Sequence, residues 1–211
     1  MHRAVFLDRD GVLNRTDVRE GKPYAPKTFR EFNILSGTCT ALSFLKKIGF
    51  LLVVITNQPD VGNGRVRKKI VEKMNVHLKT KLPIDLIKVC YHAQTDNCDC
   101  RKPKPKMILE AAQELGIILT KSYMIGDREY DIIGAKCHNL KTIGVRYGYA
   151  PNGELEASNP NYIISQPSEI INALTSLFFS KNLLNSLVFL ISFFTSAKIC
   201  KFLSEFFLDK V

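Results

Sequence analysis

The sequence predicts an α/β fold, a mainly parallel sheet flanked by helices, and three observations carry that reading. Strand-like and helix-like segments alternate along the chain. The strand-like runs, such as residues 50–55, are apolar almost without interruption, as strands buried on both faces are. Hydrophobic residues make up 45% of the 211 positions, enough for the core of one domain with an appendage.

Residues 3–7 form a short apolar run ending at acids, a buried strand. Residues 23–34 read as a loop. Residues 38–48 carry Ala41, Leu42, Leu45 and Ile48 at helical spacing, with Gly49 as the stop. Residues 50–55 are the second strand. Asn63 and Gly64 break the chain, and residues 66–82 form an amphipathic helix ahead of Pro83. Residues 84–91 are a strand. Pro103 and Pro105 precede a helix over 106–115 that stops at Gly116. A strand over 122–125, a helix over 130–137 and a strand over 142–145 follow, with residues 161–164 as a last strand. Such Rossmann-like sheets place ligand sites beyond the carboxyl ends of their strands. The spacing leaves no room for a cap domain, so an open site must select its substrate with short loops. Residues 16–19 and 65–69 are in position to do so.

The composition divides the chain into a folded unit over 1–176 and a hydrophobic tail over 177–211. Residues 182–197 carry no charge, and Lys181 and Lys198 flank them. A membrane span needs about 20 apolar residues, and this shorter run contains Asn182, Asn185 and several serines. A membrane surface, packing on the sheet or a second subunit, and a segment without selected structure all stay open. Peripheral packing is favoured over membrane contact, and the oligomeric state is not legible.

The net charge of +10 fits nucleic acid, an anionic membrane or an anionic small molecule. The longest basic block is Arg67-Lys68-Lys69, with no interleaved aromatic residues, so no nucleic-acid partner is expected. A small phosphorylated metabolite suits the charge better. The N-terminus does not read as a signal peptide, and the six cysteines read as metal ligands or free thiols of a cytoplasmic chain.

Asp8-Arg9-Asp10-Gly11 stands where the first strand ends. Alternation along a strand would point Asp8 and Asp10 the same way. Two carboxylates that close repel unless a cation sits between them, and Mg2+ takes one or two carboxylates plus phosphate oxygens. Alone, Asp-x-Asp more often marks solvated acids. Here Thr56 and Asn57 follow the second strand, where a hydroxyl and backbone N–H groups can hold phosphate. Lys102 precedes Pro103 and a helix. Asp127 closes a later strand, and Asp131, four residues on, can share a helix face with it. An ordinary helix acid is the alternative for Asp131.

Cys90, His92, Cys98 and Cys100 supply the Cys₃His set of a closed structural Zn2+ site. Their close pairing makes a compact clip that would stiffen the loop delivering Arg101 and Lys102; a loop of free thiols is the alternative. Cys39, Cys137 and Cys200 stand alone.

As a set, Asp8-Arg9-Asp10-Gly11, Thr56-Asn57-Gln58, Arg101-Lys102-Pro103 and Gly126-Asp127-Arg128-x-x-Asp131 resemble the four motifs of the haloacid dehalogenase superfamily, in order over residues 3–150. The resemblance implies phosphate monoester hydrolysis through an aspartyl phosphate on Asp8. Asp10 would protonate the leaving alkoxide and then deprotonate the attacking water. Mg2+ would lie on the Asp8 carboxylate, the Asp10 backbone carbonyl and Asp127. Lys102 and Thr56 would offset charge on the phosphoryl oxygens, Asn57 and Arg128 would contact substrate, and Asp131 would orient Lys102 or a metal-bound water.

The pattern Cys-x-His…Cys-x-Cys-Arg-Lys-Pro is similar to the branch that holds the D-glycero-D-manno-heptose 1,7-bisphosphate 7-phosphatases and the histidinol-phosphate phosphatases. In that branch the residue matching Arg101 contacts substrate and the one matching Lys102 contacts the phosphoryl group. Val145-Arg146-Tyr147-Gly148-Tyr149 leans to the heptose side; the five-residue spacer between His92 and Cys98 leans to the histidinol side. Two departures bear on the substrate: Pro59-Asp60-Val61 where the heptose enzymes usually have Ser-Gly-Ile, and Val12 where Thr or Ser is usual. The heptose bisphosphate is preferred and histidinol phosphate is the alternative. A receiver-type signalling module is a remote third, since its acid pair is adjacent and its phosphorylated Asp follows a middle strand.

Overall fold

The computed structural model describes residues 1–19 and 22–178. Eight strands run along these residues: β1 (Arg3–Leu7), β2 (Asp17–Arg19), β3 (Lys22–Tyr24), β4 (Phe50–Asn57), β5 (Leu86–Cys90), β6 (Tyr123–Gly126), β7 (Lys141–Val145) and β8 (Tyr162–Ile164). The helices are α1 (Thr38–Lys47), α2 (Pro59–Gly62), α3 (Lys68–Lys81), α4 (Lys106–Leu115), α5 (Glu129–Lys136), α6 (Glu154–Ala157) and α7 (Ile170–Phe178). Six strands form one sheet in the order β5-β4-β1-β6-β7-β8, and every neighbouring pair is parallel.

The pleat sorts the apolar runs into two cores. Val5, Leu7, Leu52 and Val54 point to the face covered by Leu42, Leu45, Met74, Leu78 and Ala173. Ala4, Phe6, Val53 and Ile55 point to the other, against Met107, Ile108, Ala111 and Ala135. Burying each of the larger apolar side chains contributes about 1.5–3 kcal/mol, which is why these runs lack the polar alternation of one-sided strands. Gly116, in the left-handed region at φ 61°, ends α4 where the sequence places the stop.

From β1 the chain passes to β4 and β5 on one side, then crosses to β6 on the other. Beyond the carboxyl ends at this switch, the loops after β1, β4 and β6 converge.

The segment read as a loop over 23–34 begins inside a hairpin. β2 and β3 pair antiparallel, with Asp17 opposite Tyr24, and Phe29–Glu31 form a short 3-10 turn. Three-residue strands containing Pro23 are too short to register as alternation. Among the described residues the insertion between β1 and β4 holds this hairpin, the turn and α1 and no cap domain, as expected.

At the other end, α7 carries Ala173 and Leu174 into the core, and Lys141 Nζ donates to the Leu177 carbonyl at 2.6 Å. The rest of the expected tail, residues 179–211, lies outside the described residues. No helix among the described residues is long and apolar enough to cross a membrane.

Candidate active site

β1 ends at Leu7 and hands Asp8 to the crevice, its backbone N–H held by the Ile125 carbonyl of β6 at 3.0 Å. β6 ends at Gly126 and hands over Asp127. Asp131 enters from the first turn of α5, where its Oδ2 accepts the Arg128 N–H at 3.2 Å. Asp8, Asp127 and Asp131 are all buried, with one carboxylate oxygen of each within 4.8 Å of the others. Asp127 and Asp131 do not meet by sharing a helix face: Asp127 precedes α5, and the turn from strand to helix brings it beside Asp131.

Lys102 answers part of this charge. Its Nζ lies 2.7 Å from Asp8 Oδ1 and 2.7 Å from Asp131 Oδ1, and it donates to the Ile55 carbonyl at 2.9 Å. Burial alone would push the ammonium down; Asp131 and Asp8 outweigh it and hold Lys102 above the ordinary lysine range. Burial raises Asp8 to about 7, with Lys102 opposing and Asp131 and Asp10 adding to the rise. Burial, then Asp8 and Asp131, push Asp127 well up, against one N–H from Tyr149. Asp127 Oδ1 is buried without a hydrogen-bond partner among the described residues. One lysine for three buried acids, and a bare carboxylate oxygen among them, is a donor set that fits a divalent cation.

The neighbouring backbone is cut to fit. At Gly11 (φ 90°) and at Gly148 an added Cβ would collide with the Asp127 side chain. At Gly126 it would collide with Asp131.

Asp10 sits apart from the acid trio. Its carboxylate is bound by the Arg9 guanidinium (Nη2 to Oδ2, 2.9 Å), by Gln58 Nε2 at 2.6 Å and by Asn14 Nδ2 at 2.9 Å. The cation beside Asp10 is thus Arg9, and Asp8 and Asp10 lie beyond the end of β1 rather than side by side on it. Gln58 also donates to Thr56 Oγ1 at 3.0 Å, joining two expected site residues. Asn57 spends its amide on the Lys102 backbone, accepting its N–H at 3.1 Å and donating to its carbonyl at 3.3 Å. Asn57 thus clamps Lys102 at the edge of the cavity. Arg128 is pinned by Glu154 through Nε and Nη2 at 2.7 and 3.0 Å. Arg101 Nη1 is buried without a partner among the described residues.

Many of these side chains line a cavity of about 300 Å³. Its walls include Asp8, Asp10, Thr56, Asn57, Arg101, Lys102, Arg128 and Asp131, with Tyr24, Lys27, Arg65, Gln94, Tyr130 and Tyr149 around them. Arg65 comes from the expected 65–69 loop. On the hairpin side the lining includes Tyr24, Ala25 and Lys27. Arg9, Gln58 and Glu154 had no role assigned from sequence. The first two stand inside motifs already recognised, which was the available signal.

A second cluster begins at Cys90, the last residue of β5, and continues in the loop after it. Cys90, Cys98 and Cys100 have Sγ separations of 3.0, 3.5 and 3.7 Å, and His92 Nδ1 is 3.2 Å from Cys100 Sγ. A tetrahedron with Zn–S near 2.3 Å has S···S edges of about 3.8 Å, so the donors suit one zinc ion. Burial pushes the Cys90 thiol up to about 12, with Cys100 and Cys98 adding to it. This loop is docked on α2: at Gly62 a Cβ would collide with the Ala93 backbone, and Asn63 Nδ2 donates to Gln94 Oε1 at 3.0 Å.

Residues 99–176 match the family model described as "HAD-hyrolase-like". The chain is 33% identical over 182 residues to the D-glycero-beta-D-manno-heptose-1,7-bisphosphate 7-phosphatase of Pasteurella multocida, covering 81% of this chain and 95% of that protein. It is 38% identical over 138 residues to the protein of the same name from Helicobacter pylori, covering 63% of this chain and 76% of that one. Among solved structures, a D,D-heptose 1.7-bisphosphate phosphatase from B. bronchiseptica, complexed with magnesium and phosphate, superposes with a TM-score of 0.70. That match covers 82% of this chain and 98% of the other at 23% identity, and it shows the shared fold. The motifs, the capless sheet and these relatives agree: the chain belongs to the D-glycero-beta-D-manno-heptose-1,7-bisphosphate 7-phosphatase family, phosphoric monoester hydrolases of the haloacid-dehalogenase-like fold.

Proposed function

We propose that this chain hydrolyses the 7-phosphate of D-glycero-beta-D-manno-heptose 1,7-bisphosphate through an aspartyl phosphate on Asp8. The observation that carries the reading is the acid trio around Lys102 at the carboxyl ends of β1 and β6, in a family of that name. Asp8 forms the bond to phosphorus as the ester P–O bond breaks, and Asp10 gives its proton to the departing C7 oxygen. Asp10 then takes a proton from water, which attacks phosphorus, frees inorganic phosphate and restores Asp8. Lys102, Thr56 and the unpartnered Arg101 Nη1 hold the phosphoryl oxygens.

Mg2+ fits Asp8, Asp127 and the Asp10 main-chain carbonyl, and when bound it would neutralise charge on the phosphoryl group. Asp131 keeps Lys102 in place. Asn57 acts on substrate through the Lys102 backbone, and Arg128, braced by Glu154, presents its remaining edge to the cavity. Zn2+ fits Cys90, His92, Cys98 and Cys100, closing the loop that carries Arg101 and Lys102. The free cysteines among the described residues support a cytoplasmic location. The ligand is a small phosphorylated metabolite, with no nucleic acid involved.

A panel of phosphorylated metabolites that sets the heptose bisphosphate beside histidinol phosphate tests this. The bisphosphate should give the highest kcat/KM; a clear preference for histidinol phosphate would reassign the substrate, and no turnover of either would reject the reaction.

A further inference from the structure

Arg9 is fully buried. Its fork engages Asp10 through Nη2 (2.9 and 3.2 Å) and Nε (3.3 Å), and its remaining arm, Nη1, donates to Asn75 Oδ1 at 3.0 Å. The Phe32 ring lies 5.5 Å from the guanidinium carbon. Asn75 sits in the middle of α3, on the buried stripe with Val71, Met74 and Leu78. An amide among apolar neighbours is costly unless it is hydrogen-bonded, and the partner here is the residue that grips Asp10. α3 puts no residue into the cavity lining.

We propose that Asn75 is a positioning residue for the acid–base step: it fixes the Arg9 fork, and the fork fixes the Asp10 carboxylate. This rests on Asp10 being the proton donor to the leaving group. The guanidinium is one rigid plane: Nε and Nη2 hold it on Asp10, and Asn75 holds its third corner, so losing Asn75 loosens the angle at which the fork meets the carboxylate. Partners that set an acting side chain within a fraction of an ångström govern the step it performs.

The signature of that role is selectivity for leaving groups. A heptose C7 oxygen leaves as an alkoxide and needs a proton; 4-nitrophenolate leaves without one. kcat/KM reports steps up to release of the leaving group, so Asn75→Leu should lower it about tenfold or more for the bisphosphate and by less than about threefold for 4-nitrophenyl phosphate, against the 10²–10⁴ that a general acid supplies. Arg9→Lys, which keeps the charge and loses the fork, should show the same selective loss and stands in if Asn75→Leu does not fold. Parallel losses on both substrates, or no loss on either, would overturn the proposal. Asp10→Asn, measured alongside, keeps the two levels apart. If Asp10→Asn lacks the selective loss, the assignment of Asp10 fails; if Asp10→Asn shows it and Asn75→Leu and Arg9→Lys do not, only the role of Asn75 fails.

Discussion

The Lys102 ammonium stands 2.7 Å from the Asp8 carboxylate, and neither is exposed by more than a tenth. A lysine taken this far out of water is tolerated because Asp8 and Asp131 both face it, and the acids are tolerated because of the lysine.

Lys102→Met should therefore damage the fold as well as the reaction. Removing one member of a buried ion pair typically destabilises by about 3–5 kcal/mol. Denaturant melts at pH 8 should show a loss on that scale. The loss should shrink at pH 5.5, where protonation relieves the orphaned acids. A variant as stable as wild type at pH 8 would contradict the pairing.

Asp8→Asn should abolish turnover and leave the fold intact, since it removes one of three crowded acids. Steady-state activity above about 1% of wild type, against the many orders of magnitude that separate catalysed from uncatalysed ester hydrolysis, would exclude Asp8 as the nucleophile.

Magnesium should bind more tightly as pH rises. The folded protein holds the Asp8 proton up to about pH 7, whereas the unfolded chain releases it near 3.8. Between those values the native state binds more protons than the unfolded state, so metal-free stability falls as pH rises. Lys102, raised above the ordinary lysine range, adds stability that is lost only above this window. A cation must displace the carboxyl protons at low pH and finds them gone at high pH. The rise in melting temperature on adding MgCl₂ should be larger at pH 8 than at pH 5.5; an equal rise at both would refute the coupling.

Metal analysis of protein purified without chelator should find one zinc per chain, and Cys100→Ser should lose most of it. Cys39→Ser and Cys137→Ser should change nothing, as both thiols are exposed and lie outside the cluster. Zinc-free protein with three freely titrating thiols in that loop would eliminate the site.

The role of the tail is open to truncation. Because α7 runs to Phe178 and Leu177 packs on the core, the chain cut after Phe178 should fold and keep its kcat. An insoluble or inactive product would place residues 179–211 in the catalytic unit.

The sheet was legible because strands buried on both faces must be apolar throughout, and Asp8, Asp127 and Lys102 because they stand at strand ends or beside prolines. The hairpin escaped because Asp17–Arg19 and Lys22–Tyr24 are too short for a period to show. Arg9 and Asn75 escaped for a different reason. A buried arginine and a mid-helix asparagine look like surface residues until the tertiary fold sets them 3.0 Å apart. The clamp of Asn57 on the Lys102 backbone was not legible either, since adjacency to a strand end does not say which backbone an amide will meet.

The docking of Gly62 on the Ala93 backbone joins two parts of the molecule with unlike supports. β1, β4 and β6 are each paired on both sides in the sheet, whereas the loop after β5 has few backbone bonds of its own and leans on its thiols. In amide hydrogen exchange the two should separate. Stripping zinc should speed exchange from Tyr91 through Arg101 and spread it across the Gly62 contact into α2, while the central strands keep their protection. The zinc clip would then set the lifetime of the closed loop rather than the stability of the fold.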